Sequence, residues 1–140
     1  MPDWKAAFAK ARKEAKWAVT MTKVRIRKLI AKTRWQLVTF LGPSGGESRG
    51  VVDMMAIRKN HADNAGLKRG DLFEMVLIQV KGGSAPMPTA DDRERLRMIS
   101  IVYRAKAVIL AQWKRGRQVV FYQLKGDSWE LVSSPSELFH

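Results

Sequence analysis

The amino-acid sequence predicts a single α/β domain, and three features of its 140 residues support that prediction. The segment from residue 3 to about residue 32 is dominated by Ala, Lys and Arg without Gly or Pro, which favours one long helix. Short apolar runs bounded by Gly, Pro and polar residues are typical of strands. A second helical segment separates the third run from the fourth. The expected order is helix, three strands, helix and further strands, in a chain long enough for one modest core.

The first helix is predicted from a periodic apolar stripe. Residues on this stripe recur at spacings of four and three: Trp4, Phe8, Ala11, Ala15 and Ala18. Ile26, Leu29 and Ile30 continue the pattern to about Lys32. The run from Lys23 to Arg27 also alternates as a strand would, but the surrounding composition favours helix. The aromatic residues of the stripe are expected to pack in the core rather than to stack on bases.

The positive charge of the chain is large and is concentrated in this helix. The whole sequence carries a formal charge of +13. Residues 1–35 contain eleven Lys or Arg against two acidic residues, Asp3 and Glu14, which gives +9. A basic stripe of this kind is typical of proteins that bind the phosphate backbone of nucleic acids. The alternative is a solvated helix face that attracts anionic partners in general.

Three apolar runs in the first half of the chain are predicted to be strands. They are residues 35–41, 50–57 and 72–81. The loop Gly42-Pro43-Ser44-Gly45-Gly46 follows the first run, and a polar connector of residues 59–71 joins the second to the third. The connector holds His61, one of only two histidines, so no site with several histidine ligands is expected. The connector is either a surface that selects a substrate or simply a long hairpin loop.

Polar side chains interrupt the second and third runs where burial would be costly. Asp53 lies in one run, and Gln79 and Lys81 lie in the other. Side chains alternate faces along a strand, so Gln79 and Lys81 share a face. If the two runs pair as an antiparallel hairpin centred near Gly66, Asp53 lies opposite Gln79, with Cβ atoms about 5 Å apart. This register would bring a carboxylate, an amide and an ammonium together.

An Asp on one strand, followed by Gln79-Val80-Lys81 on the next, resembles the PD-(D/E)xK signature of restriction-endonuclease-like nucleases. The Gly-Ser loop of residues 42–46 and the run of residues 50–57 are similar to those of archaeal Holliday-junction resolvases. The resemblance covers roughly residues 34–113 and implies a mixed central sheet flanked by helices. Two positions depart from the pattern, because Val52 stands where Pro is usual and Gln79 where Glu or Asp is usual.

The resemblance implies a metal-dependent DNA endonuclease, acting on branched or junction DNA. Asp53 and Gln79 would hold Mg²⁺ or Mn²⁺, and Lys81 would act beside them. A third metal ligand is expected from Glu47 or Glu14. The residues expected to contact double-stranded or branched DNA are Lys13, Lys16, Arg25, Arg27, Lys28, Ser44 and Arg49. A two-fold homodimer is expected if the substrate is a symmetric junction.

The second half of the chain completes the predicted domain. Thr89 to Asp92 has the pattern of a helix-capping box, and the helix is expected to continue to about Arg104. Residues 107–113 and 119–124 are predicted strands, and residues 125–140 are expected to hold a further strand and a polar tail. The predicted organisation is a basic helix (1–33), an α/β core (34–124) and a tail (125–140).

Several classes of function are excluded or stay open. The chain has no cysteine, which excludes thiol chemistry and zinc–thiolate sites. No membrane span or signal peptide is evident in the sequence, which favours a soluble cytoplasmic protein. Asp53 and Lys81 can alternatively form an ion pair within the sheet, without any metal. A nucleic-acid-binding module with a weakened site, or an assembly protein that binds an acidic partner, are the competing functions.

Overall fold

The computed structural model describes residues 3–40 and 50–140. Among these residues, no helix has both the length and the apolar character needed to cross a membrane. The described residues form two α-helices, each followed by three strands, and a short 3₁₀ helix at the end. Their bounds are α1 Trp4–Ile30, β1 Gln36–Thr39, β2 Met54–Asn60, β3 Leu72–Gly82, α2 Ala90–Val102, β4 Ala107–Trp113, β5 Val120–Lys125, β6 Ser128–Leu131 and the 3₁₀ helix Pro135–Phe139.

The strands form one mixed sheet in the order β1-β2-β3-β4-β5-β6. Every neighbouring pair is antiparallel except β3 and β4, which run parallel. A parallel pair needs a crossover connection, and α2 supplies it. The predicted fold class, a mixed sheet flanked by helices with a long basic N-terminal helix, is confirmed. The element order of helix, three strands, helix and strand is also the one that the resemblance implied.

Helix α1 packs its C-terminal half on one face of the sheet. Asp3 caps its N-terminus, where the carboxylate accepts the backbone N–H groups of Lys5 and Ala6 at 3.0 and 3.3 Å. Its buried residues recur every fourth position, as a helix facing a sheet requires: Ala18, Thr22, Ile26 and Ile30. They pack in a cluster with residues from the central strands, including Met54, Ile78, Ile109 and Phe121.

The expectation that the aromatic stripe of α1 is core is wrong at its start. Trp4 and Phe8 are 71% and 60% exposed, whereas Ala18 on the same stripe is fully buried. A helix of 27 residues is about 40 Å long, at 1.5 Å per residue. Residues 4–13 of α1 are all exposed. The periodic pattern therefore continues beyond the part of α1 that the sheet covers.

Helix α2 covers the opposite face of the sheet. The predicted capping box is confirmed, since the Asp92 N–H donates to the Thr89 hydroxyl at 3.1 Å and the Thr89 N–H donates to the Asp92 carboxylate at 3.4 Å. Leu96 is the fully buried residue of α2 and packs with Leu77 and Val108. The odd-numbered side chains of β3 thus face α2, and the even-numbered ones face α1.

The C-terminal segment is not the polar tail that its composition suggested. Leu138 and Phe139 are buried, with 8% and 2% of their surfaces exposed. The Phe139 ring meets the Trp35 ring edge-on, with centroids 6.0 Å apart. Such aromatic pairs are worth about 0.5–1.5 kcal/mol beyond the area that they bury. The last residues therefore close the core on the α1 face of the sheet.

Helix α1 lies close against the end of β3 at Gly82. A Cβ atom at this position would overlap the Cβ of Ala18 and lie 3.0 Å from the backbone oxygen of Glu14. The absence of a side chain at Gly82 therefore allows the helix backbone to lie directly on the end of β3. This contact sets the position of Glu14 relative to the strand end.

We expect the variant Gly82→Ala to be destabilised by about 1–3 kcal/mol, because the added methyl overpacks this contact. The paired variant Ala18→Gly, Gly82→Ala should recover part of the loss, since it removes the methyl that the new one overlaps. Urea denaturation of the two variants, with Ala18→Gly alone as the control, measures both effects. A Gly82→Ala protein as stable as the wild type would contradict the described contact.

Candidate functional site

The candidate site lies where β2 begins and β3 ends. The two strands pair with Met54 opposite Ile78 and Asn60 opposite Leu72, which is the predicted register centred on position 66. Asp53 directly precedes β2, and its backbone N–H donates to the Ile78 carbonyl at 2.9 Å. The hairpin therefore places Asp53 beside the segment that contains Gln79.

The Asp53 side chain is tied to the backbone of β3. Its Oδ2 atom accepts the Val80 N–H at 2.7 Å, and the residue is partly buried. The Asp53 carbonyl also accepts the Phe40 N–H at 3.2 Å, so the residue is held from the β1 side as well. Hydrogen bonds to an ionised acceptor are among the stronger ones in proteins. The carboxylate is thereby fixed next to the peptide unit that lies between Gln79 and Lys81.

Gln79 is buried, and its amide oxygen is unsatisfied within the part of the chain that the structure describes. The residue is 5% exposed, and its Oε1 has no hydrogen-bond partner among the described residues. Its neighbour on β4 is Leu110, which is fully buried and offers no donor side chain. An unsatisfied buried polar atom costs about 1–3 kcal/mol. An amide oxygen near a fixed carboxylate fits a hard cation such as Mg²⁺, which prefers oxygen ligands and retains several waters.

Lys81 lies two residues after Gln79, near the end of β3, and is partly buried. Its neighbour in the ladder is Gln112 of β4, which is also partly buried. Because side chains alternate along a strand, Gln79 and Lys81 face the α2 side of the sheet together. The strand end thus presents an amide and an ammonium on one face.

Glu14 reaches the same strand end from the other side of the sheet. A Cβ atom added to Gly83 would overlap the Glu14 carboxylate, so this carboxylate lies against the backbone two residues beyond Lys81. The other expected metal ligand, Glu47, lies outside the described residues, as do Ser44 and Arg49. Within residues 3–40 and 50–140, no group of three or more acidic or histidine side chains is close enough to hold a metal ion.

The basic residues predicted on α1 fall into two sets. Four are exposed along the helix: Lys13, Lys16, Arg27 and Lys28. Arg25 is partly buried, and its Nε is enclosed without a hydrogen-bond partner among the described residues. Lys13 and Lys16 border a shallow depression of about 290 Å³ together with Arg12. The exposed set provides a cationic surface, whereas Arg25 belongs in part to the interior.

The sequence interpretation missed a second group of charged residues at the opposite end of the sheet. Arg34 donates to the Lys59 carbonyl at 3.1 Å, and the Arg58 guanidinium lies 4.3 Å from the Trp35 ring centroid. The sequence does contain a signal for this group. Arg34, just before β1, lies opposite the basic residues Arg58 and Lys59 near the end of β2. It becomes visible only once the pairing of β1 with β2 is known.

Comparison with solved structures shows what this chain is similar to. Hjc, a Holliday junction resolvase from the archaeal hyperthermophile Archaeoglobus fulgidus, aligns with a TM-score of 0.42 and 12% sequence identity. The alignment covers 84% of this chain and 89% of that chain. No family model matches the sequence, and no curated protein matches it significantly. The function proposed below rests on the geometry of this chain's own residues.

We expect Gln79→Met to keep or raise the free energy of unfolding, by about 1 kcal/mol, when divalent cations are chelated. The substitution keeps the side-chain volume and removes the unsatisfied amide oxygen. Gln112→Met, on the neighbouring strand, is the matched control. Urea denaturation in a chelator measures both variants. A loss of 2 kcal/mol or more in Gln79→Met alone would show that the amide is already satisfied within the fold, at a magnitude typical of a broken buried hydrogen bond.

Proposed function

We propose that this protein is a metal-dependent DNA endonuclease that hydrolyses phosphodiester bonds, with branched or junction DNA as its expected substrate. The observation that carries the proposal is the contact between the Asp53 carboxylate and the Val80 N–H. This contact fixes the carboxylate against the segment of β3 that carries Gln79 and Lys81, and the Gln79 amide oxygen has no hydrogen-bond partner among the described residues. Two oxygen donors beside a cation are the groups that metal-assisted hydrolysis requires.

In the proposed mechanism, each side chain has one role. Asp53 and Gln79 would hold Mg²⁺ or Mn²⁺ through their oxygens, and Glu14 or Glu47 would supply a further carboxylate. A metal held there would supply polarisation of the scissile phosphate and activation of water. The Val80 N–H keeps the Asp53 carboxylate in one orientation. The Lys81 ammonium offsets the negative charge that develops on the phosphate during hydrolysis.

Gln79 favours a second candidate function. An amide contributes an oxygen but no negative charge, so this site binds a divalent cation less strongly than a pair of carboxylates would. Gln79 is also almost entirely buried, with 5% of its surface exposed. The alternative is therefore a DNA-binding module on the same fold, without catalysis. Both functions share the cationic surface of α1, and they differ in whether the protein cleaves DNA through a site that contains Asp53.

The exposed cations of α1 are proposed to contact the DNA backbone. Lys13, Lys16, Arg27 and Lys28 are all exposed. Residues 1–35 carry a net charge of +9, from eleven basic and two acidic residues. Contacts of this kind read no sequence, and their strength falls steeply as salt displaces them. Glu14, at the strand end, belongs to the same helix, so α1 links this surface to the candidate site.

We expect Asp53→Asn and Lys81→Met to reduce cleavage by about 100-fold or more, because the first removes the charge of a metal ligand and the second removes the cation that stabilises the transition state. Gln79→Glu should lower the Mg²⁺ concentration needed for half-maximal activity, since it adds a charged ligand. Cleavage of branched, duplex and single-stranded DNA with Mg²⁺ or Mn²⁺ provides the measurement. Lys125→Met, which removes an exposed lysine on β5, is the matched control.

Three outcomes of this experiment separate the functions. Cleavage that is lost in Asp53→Asn but kept in Lys125→Met supports the endonuclease. Salt-sensitive DNA binding without cleavage, unchanged in Asp53→Asn, supports the binding module. Absence of both activities leaves the basic helix as a surface for an acidic protein partner. Cleavage that is equal in wild type and Asp53→Asn would place the activity outside the proposed site.

The double variant Lys13→Gln, Lys16→Gln should bind DNA more weakly and with a shallower salt dependence. Each lost phosphate contact reduces the slope of log affinity against log salt by about 0.9. Fluorescence anisotropy with labelled duplex at several salt concentrations measures the slope. Arg115→Gln, Arg117→Gln removes two exposed charges from the turn between β4 and β5 and serves as the control. Equal losses in both double variants would contradict a specific role for α1.

A further inference from the structure

A second cleft lies at the end of the sheet opposite Asp53. Its volume is about 470 Å³, within the range typical of small-molecule sites. Its walls include charged and aromatic side chains from the start of β1, the end of β2 and the start of β3: Arg34, Trp35, Arg58, Lys59, His61 and Phe73. Phe73 and Gln79 are six residues apart on β3, which places the cleft about 20 Å from the candidate site.

Strand pairing and a folded connector build this cleft. Gln36 pairs with Ile57, and the same register brings Arg34 beside Lys59. The connector closes when the Gly70 N–H donates to the Asn60 carbonyl at 3.2 Å. This closure brings the Arg69 guanidinium within 3.5 Å of the His61 Nδ1 atom. Residues distant in sequence are thus held together by backbone geometry.

The cleft has an excess of positive charge. Arg58 pairs with Glu74 at 2.6 Å, but Arg34, Lys59 and Arg69 have no ion-pair partner among the described residues. Partial burial lowers the pKa of His61, and the charges of Arg34, Arg69, Lys59 and Arg58 lower it further. Every charge that shifts this pKa is positive. The cleft therefore favours an anion.

An exposed aromatic ring borders these cations. Phe73 is 59% exposed and contributes to the wall of the cleft. Trp35, by contrast, is 3% exposed and is already covered by the Arg58 guanidinium. The exposed phenyl ring is a surface on which a nucleobase can stack, and stacking of this kind tolerates any base. A site that combines cationic side chains with an exposed aromatic ring is complementary to a ligand in which a phosphate is joined to a nucleobase.

We propose that this cleft binds a nucleotide, with its phosphate held by Arg34 and Lys59 and its base stacked on Phe73, while Arg69 adds positive charge from beside His61. The ligand is a free nucleoside monophosphate or the phosphorylated end of a nucleic-acid strand, since both carry the same group. The site is separate from the proposed hydrolytic centre and does not depend on it.

Calorimetric titration of the full chain with deoxyadenosine monophosphate, deoxyadenosine and inorganic phosphate tests the proposal. Arg34→Gln should weaken binding of the nucleotide and of phosphate by about 10-fold or more, as expected for loss of a charged hydrogen bond. Phe73→Ala should weaken nucleotide binding by about 5-fold or more and leave phosphate binding unchanged. Both side chains are exposed, and thermal unfolding checks that the variants are folded.

Two further measurements extend the test. The first distinguishes a free nucleotide from the phosphorylated end of a strand as the ligand, and the second detects nucleotide binding independently of calorimetry. An oligonucleotide with a 5′-phosphate that binds more tightly than its 5′-hydroxyl form identifies a strand end, whereas equal affinities identify the free nucleotide. Nucleotide binding should raise the pKa of His61 in an NMR titration, because a bound anion stabilises the imidazolium ion against the surrounding cations. His140 provides the internal reference for this titration. Glu74 is the acidic group near the cleft, and it pairs with Arg58.

Controls distinguish this site from general attraction to a basic protein and from the hydrolytic centre. Arg117→Gln removes an exposed charge elsewhere, and Asp53→Asn alters the other end of the sheet; both should bind the nucleotide as the wild type does. Equal weakening in Arg34→Gln and Arg117→Gln, or no detectable binding by the wild type, would overturn the proposal. Loss of DNA cleavage in Asp53→Asn with nucleotide binding retained shows that the two proposals stand or fall separately.

Discussion

The hydrogen bond from the Val80 N–H to the Asp53 carboxylate is the constraint on which the candidate site depends. A side chain that precedes β2 is bound to the backbone of β3, so the hairpin register and the position of the carboxylate are set together. A shift of one residue in that register would move every β3 side chain to the other face. Gln79 would then face α1, where the close contact at Gly82 leaves little space.

The sequence predicted the pairing of the strands better than it predicted which part of helix α1 the sheet covers. The apolar runs and the centre at Gly66 led to the correct pairing of β2 with β3, because hairpin register follows from alternation and connector length. Thr89 and Asp92 likewise identified the start of α2. Trp4 and Phe8 were misplaced because periodicity shows which face of a helix is apolar but not where its partner sheet ends. Phe139 was missed because two apolar residues in a polar segment show no period.

The charged residues show the same difference between what a short stretch of sequence reveals and what depends on the pairing of distant segments. Clustering of basic residues in α1 is visible in composition alone. The group around His61, in contrast, requires β1 to lie beside β2 and the connector to fold back at Gly70, which depends on pairings between distant segments. The two ends of the sheet consequently carry different chemistry. Among the described residues, one end holds a fixed carboxylate and an amide oxygen without a hydrogen-bond partner, and the other holds Arg34 and Arg69, which form no ion pair, near the exposed ring of Phe73.

The single parallel pair of strands has a consequence for how the chain reaches this structure. Pairings within β2–β3 and β4–β5 join residues at most 24 and 14 positions apart, as in Met54 with Ile78 and Ile109 with Gln123. The β3–β4 pairing, as in Val76 with Ala107, spans 31 positions and needs α2 to be in place. Because longer loops lose more entropy on closure, we expect the β4–β5 hairpin to form before β3 pairs with β4. The β2–β3 hairpin alone brings Asp53, Gln79 and Lys81 together, so an intermediate with this hairpin formed would already hold the three residues, and pairing with β4 would then place Leu110 beside Gln79.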